Sequence, residues 1–129
     1  MSLNPALLGV RFLLELTAFA SFAILGWRVT DNPARWLLVV VLPILAAVVW
    51  GVFAVPDDPS RSGAAPVAVP GPVRLVVEFA VFWGGAVALW FAGLPQLAII
   101  SAAILVVYHL VAYDRVLWLV NPAPPKAAP

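Results

Sequence analysis

The chain has 129 residues, of which 64% are hydrophobic and 10% charged, against about 45–50% apolar and about 25% charged in soluble domains. So small a globule cannot hide that much apolar side chain from water, which excludes a soluble domain and makes the bilayer its solvent. A net charge of +1 and the lack of cysteine exclude a nucleic-acid partner, disulfides and thiolate metal sites, and a single histidine excludes bis-histidine haem within one chain.

Four apolar segments follow in chain order, at about 6–27, 34–55, 73–93 and 96–119. Each has the ~20 residues that span ~30 Å of hydrocarbon as a helix, the one state that satisfies its own backbone in lipid. Asn4 and Pro5 start the first, as cap and first-turn proline. Ala18, Ala20 and Ala23 imitate a signal-peptide cleavage region, but Arg11 and Glu15 lie inside the apolar run and no basic residue precedes it. A short polar turn, Arg28 to Asn32, leads through Pro33 into the second segment, where Pro43 frees the carbonyl of Val39 and predicts a kink. Residues 56–72, rich in Pro, Gly, Ser and Ala, read as a flexible surface linker. Pro72 opens the third segment, in which Gly84 and Gly85 permit close helix approach. A tight turn, Ala92 to Pro95, opens the fourth, and the tail 121–129 reads as disordered. Short turns make antiparallel neighbours. The expected fold is all-α, a polytopic membrane four-helix bundle of two helical hairpins occupying residues 1–120.

Arg11, Arg61, Arg74, Arg115 and Lys126 lie towards one side and Arg28 and Arg35 towards the other. Five against two predicts both termini and the linker in the cytoplasm. Trp27 and Trp36 then mark the outer interface and Trp118 the inner one.

The first and third segments match at an offset of 63 residues: Arg11, Glu15, Phe19 and Ala23 against Arg74, Glu78, Phe82 and Ala86. A spacing of four puts each set in one stripe along a helix. Charges are scarce here, so a duplicated Arg-x3-Glu predicts a parallel internal repeat, related by an axis along the membrane normal. The second and fourth segments match more weakly, through Val48 with Val111 and Trp50 with Tyr113.

Counted from the far helix ends, Glu15, Glu78 and His109 lie about 18–22 Å deep, past the midplane at ~15 Å. Arg11, Arg74 and Asp114 lie about a turn further, with Arg115 beside Asp114. An unpaired charge near a helix centre costs about 2.5–3.5 kcal/mol, so these groups must face inward and pair. The candidate polar cluster is therefore Arg11, Glu15, Arg74, Glu78, His109, Tyr113, Asp114 and Arg115. Glu15 and Glu78 are expected in one layer with His109, and Arg11 and Arg74 beneath them. Tyr113 shares the face of His109, four residues on. Two readings of His109 stand: a buried histidine bonded to a neighbouring helix, or a proton relay between Glu15 and Glu78. Trp50-Gly51 is placed to pack over the charged layer. No metal-ligand spacing, phosphate loop or nucleophile elbow is visible, so no catalytic residue, cofactor or metal is expected, and no enzyme.

The opening Arg11-Phe12-Leu13-Leu14-Glu15-Leu16, Trp50-Gly51 followed by Pro56, the second Arg74-x3-Glu78 and the late Tyr113-Asp114-Arg115 together resemble the YrdB family of small bacterial membrane proteins. The resemblance runs from Asn4 to Leu119. It implies four helices in a bacterial cytoplasmic membrane and no established activity, and the linker here is longer and richer in Pro and Ala. Two functions compete. One is a small ion- or proton-coupled transporter or channel working through Glu15 and Glu78, with a water-reachable cavity at the carboxylates. The other is an accessory or assembly subunit of a membrane complex, with the charges as a dry, fully paired clamp. The expected partners are the lipid bilayer and either further copies of the chain or a larger membrane complex.

Overall fold

A computed structural model describes residues 4–59 and 64–120. The expectations for Arg61, Lys126 and the tail 121–129 fall outside that range. The chain is mostly helical, with three helices long and apolar enough to cross a membrane, or four if one bent pair is a single span.

Helix α1 spans Pro5–Arg28, and the Asn4 side chain accepts the Ala6 N–H at 2.8 Å, satisfying one of the donors a helix start leaves over. The turn repeats this device, with Asn32 Oδ1 accepting the Ala34 N–H at 2.8 Å. Helix α2, Ala34–Val52, runs through Pro43 as one helix. A Cβ at Gly26 would strike the Leu38 carbonyl, so α1 and α2 approach to backbone contact.

The linker departs from expectation. Strands β1 (Phe53–Ala54) and β2 (Val67–Ala68) pair in parallel, Phe53 with Val67 and Ala54 with Ala68. The Val69 N–H also donates to the Ala54 carbonyl at 2.9 Å. The chain therefore leaves and returns at one point, and between these strands Asp58 is only 1% exposed. The described linker residues lie mostly at the surface, as expected, and one buried charge anchors them. Asp57 sits at φ 60, a left-handed position that Asp tolerates better than most residues, and the turn there delivers Asp58 inward.

Helix α3 spans Gly71–Phe91. A Cβ at Gly85 would lie 3.0 Å from the Ala18 Cα, so α1 and α3 also touch through small residues, as polar-poor membrane interfaces do. The last segment is not one straight helix. It divides into α4 (Pro95–Val111) and α5 (Tyr113–Val120), bent by 70°. Ala112 leaves helical geometry at φ −95, ψ 31, and the Arg115 N–H then bonds the Ala112 carbonyl at 3.0 Å and Asp114 Oδ1 at 2.9 Å. The bend lets α5 bury Arg115 and Leu119 against α3 while Tyr113 and Leu117 stay out. No glycine or proline marks the break, so an apolar pattern alone reads as continuous.

Helices α1 and α3 form the centre, α2 packs on α1, and α4 packs on α3. The shared core includes Ala18, Trp50, Val81, Phe82, Leu105 and Tyr108. The start of α3 is held tightly, because a Cβ at Gly71 would overlap the Leu119 backbone. Gly71→Ala must push α5 away, at a cost of about 1–3 kcal/mol typical of overpacking. The expected result is a lower melting temperature in detergent, read by tryptophan fluorescence, with Gly9→Ala unchanged because nothing lies within 4 Å of that position.

Candidate functional site

The charged groups gather where the N-terminal halves of α1, α3 and α5 meet the end of α2. Glu78 is the hub. Its Oε1 accepts Arg11 Nη1 at 3.1 Å and Arg115 Nε at 3.2 Å. Its Oε2 accepts Arg74 Nε at 2.8 Å and Arg115 Nη2 at 2.6 Å, and Arg11 Nη2 lies 3.0 Å away as an ion pair without hydrogen-bond geometry. One carboxylate thus holds guanidinium groups from three helices.

Each arginine has further partners. Arg115 forms a two-pronged pair with Asp58, Nη1 to Oδ1 at 3.0 Å and Nη2 to Oδ2 at 2.8 Å. The planar fork of arginine matches a carboxylate in this way, and lysine does not. Arg74 Nη1 donates to the carbonyls of Trp50 and Phe53, the latter at 2.7 Å, occupying acceptors that the end of α2 leaves over. Arg11 Nη1 donates to the Tyr108 hydroxyl at 3.1 Å. The Trp50 ring lies 5.0 Å from the Arg11 guanidinium and 4.4 Å from that of Arg74, so the indole faces both cations.

Of the residues the sequence singles out, Arg11, Arg74, Glu78 and Arg115 come together as one buried group. Glu15 stands at its margin. It pairs with Arg11 Nε at 3.6 Å, and its side chain is 19% exposed where that of Glu78 is 5%. Tyr113 does not belong to the group. The bend at Ala112 breaks the helical register that put it on the face of His109, and it is 62% exposed. Asp114 Oδ1 accepts the Arg115 N–H in the first turn of α5, and Asp58 binds the Arg115 guanidinium with both oxygens. The first reading of His109 is corrected too. Its Nδ1 donates to the Leu105 carbonyl of its own helix at 2.7 Å, not to another helix. The rings of Phe79, Phe82, Trp83 and Tyr108 surround it, and it lines one small cavity with Arg11 and Glu78.

Sequence reasoning missed Asp58 and Tyr108. The only signal for Asp58 was an Asp pair, Asp57-Asp58, just beyond Trp50-Gly51, and its loop-like surroundings concealed it. With Asp58 included, Arg11, Arg74 and Arg115 face Glu78, Asp58 and Glu15, three cations to three acids. The cavity bounded by Arg11, Glu78, Tyr108, His109 and Arg115 measures about 10 Å³, at or below what a single water needs.

The family described as a protein of unknown function (DUF2568) matches residues 9–106. The uncharacterized protein YrdB of Bacillus subtilis (strain 168) is 38% identical over 119 residues, covering 92% of this chain and 97% of that protein. No solved structure matches.

Proposed function

Because the chain belongs to the DUF2568 family of proteins of unknown function, its role is read from its own residues, and we propose that it is a non-enzymatic accessory or assembly subunit of a larger membrane complex. In this reading the Arg/Glu/Asp cluster is the lock that holds the subunit in shape. The observation that carries the reading is Glu78 engaged by Arg11, Arg74 and Arg115 with only about 10 Å³ beside it. A transporter needs a carboxylate that water and a solute reach, and this is why transport stands second. Polar contacts of this kind hold membrane helices in a fixed pairing.

The proposal extends to the architecture. The four spans form one bundle in the bacterial cytoplasmic membrane, α4 and α5 together making the fourth. The hairpins α1–α2 and α3–α4 are a parallel repeat, supported by the central position of the two helices that carry Arg-x3-Glu. Both termini face the cytoplasm. The chain has no cysteine, so single cysteines report topology cleanly. Asn32→Cys is expected to react with a membrane-impermeant maleimide in intact cells, and Ala64→Cys only after permeabilisation. The reverse pattern refutes the orientation.

The assembly reading is tested by native electrophoresis of membranes in mild detergent and by membrane proteomics of a deletion strain. The expected result is migration above the monomer, and loss of a specific membrane protein that returns on complementation. A chain that migrates as a monomer, and whose deletion alters no other membrane protein, contradicts it.

A further inference from the structure

At the helix ends opposite the charge cluster lies an open basin of about 700 Å³, walled by the α1–α2 turn and by Leu94 of the α3–α4 turn. Arg28, Asp31 and Arg35 line it. Unlike the arginines of the cluster, neither of these two is neutralised: among the described residues no ion pair joins Arg28 or Arg35 to any acid, Asp31 included.

The two cations are placed differently. Arg35 is held in position. Its Nε and Nη2 both donate to the Trp27 carbonyl, at 3.0 and 2.8 Å, and its guanidinium lies 4.0 Å from the Trp27 ring centre. Nη1 is engaged by no described residue. Arg28 is exposed and reaches the other turn, where its Nη2 lies 3.8 Å from the point a Cβ on Gly93 would occupy. Gly93 has φ +82, so the turn beneath Arg28 is one that favours glycine. Trp27 meets Trp36 edge to face at 4.8 Å. Paired tryptophans at a helix end mark the depth of lipid headgroups. Below the arginines the basin wall turns apolar, through Ala23, Ile24 and Val39.

We infer that this basin binds the phosphodiester of an anionic phospholipid. Arg28 and Arg35 take the phosphate oxygens, and the apolar strip between α1 and α2 carries the start of an acyl chain. The phosphate stands at the level of the tryptophans. The guanidinium fork suits phosphate geometry, and an excess of one positive charge favours an anionic headgroup over a zwitterionic one. The inference is independent of the charge cluster and of the assembly reading.

The test is native mass spectrometry of the full chain, released from micelles holding equal phosphatidylglycerol, phosphatidylethanolamine and phosphatidylcholine. The wild type is expected to retain phosphatidylglycerol about tenfold over the other two, the preference that one good charge-assisted contact supplies. Arg28→Gln removes an exposed side chain that makes no bond in the fold, so it should abolish the preference with the melting temperature unchanged. Arg35→Gln should do the same at a lower melting temperature, because the Trp27 carbonyl loses its donors. Equal retention of the three lipids, or a preference that survives both substitutions, overturns the proposal. Displacement of phosphatidylglycerol by millimolar inorganic phosphate also overturns it, by identifying a site for soluble anions.

Discussion

Glu78→Gln should lower the melting temperature in detergent far more than Glu15→Gln. The amide keeps the shape of the side chain and removes the charge that three guanidinium groups share. Taking one partner from a buried ion pair costs about 3–5 kcal/mol, because the remaining charge stays buried without compensation. Here Arg11 and Arg74 lose their main acid and Arg115 keeps Asp58. A fall on the order of 10 °C or more is expected, with reduced abundance in membranes. Glu15→Gln is the control at the neighbouring Arg-x3-Glu of α1. Its ion pair with Arg11 Nε is 3.6 Å long and partly exposed, and pairs of that length and exposure contribute about 1 kcal/mol or less. Equal effects at the two positions would mean that Glu15 carries a load its contacts do not reveal.

Asp58→Asn should release the linker while leaving the helices folded. Asp58 holds the segment between β1 and β2 to α5 through both oxygens on Arg115. Asparagine accepts with one oxygen only and brings no charge, and charge-assisted bonds contribute roughly twice as much as neutral ones. Arg115 retains Glu78, so the loss is local. Local opening sets proteolysis when opening and closing are fast. Proteolysis within the linker should therefore accelerate, with helical circular dichroism unchanged. An unaltered cleavage rate would show that the β1–β2 pairing alone holds the segment.

Much of this arrangement was legible in the sequence. Arg11, Arg74, Glu78 and Arg115 declared themselves because a charge in an apolar helix has to be paired. The fourfold spacing of Arg74 and Glu78 foretold their contact at 2.8 Å. Trp50, expected over the charged layer, lies against Arg11 and Arg74. The failures have separate causes. The burial of Asp58 depends on a bidentate pairing with a residue 57 positions away, and composition around it reads only as loop. Tyr113 was misplaced because the backbone leaves the helix at Ala112, where no residue type signals a break. His109 was read for its chemistry, while its surroundings are rings and the carbonyl of its own helix.

The central claim is that the cluster is a lock with no working site inside it. The most direct measurement places melting temperature, membrane abundance and complementation of a deletion phenotype on one series: Glu15→Gln, Asp58→Asn, Arg115→Lys and Glu78→Gln. The account predicts that complementation follows the amount of folded protein along a single curve, so that a destabilised variant restored in amount is restored in function. A Glu78→Gln protein that is folded, abundant and as stable as the wild type, yet inactive, would contradict it.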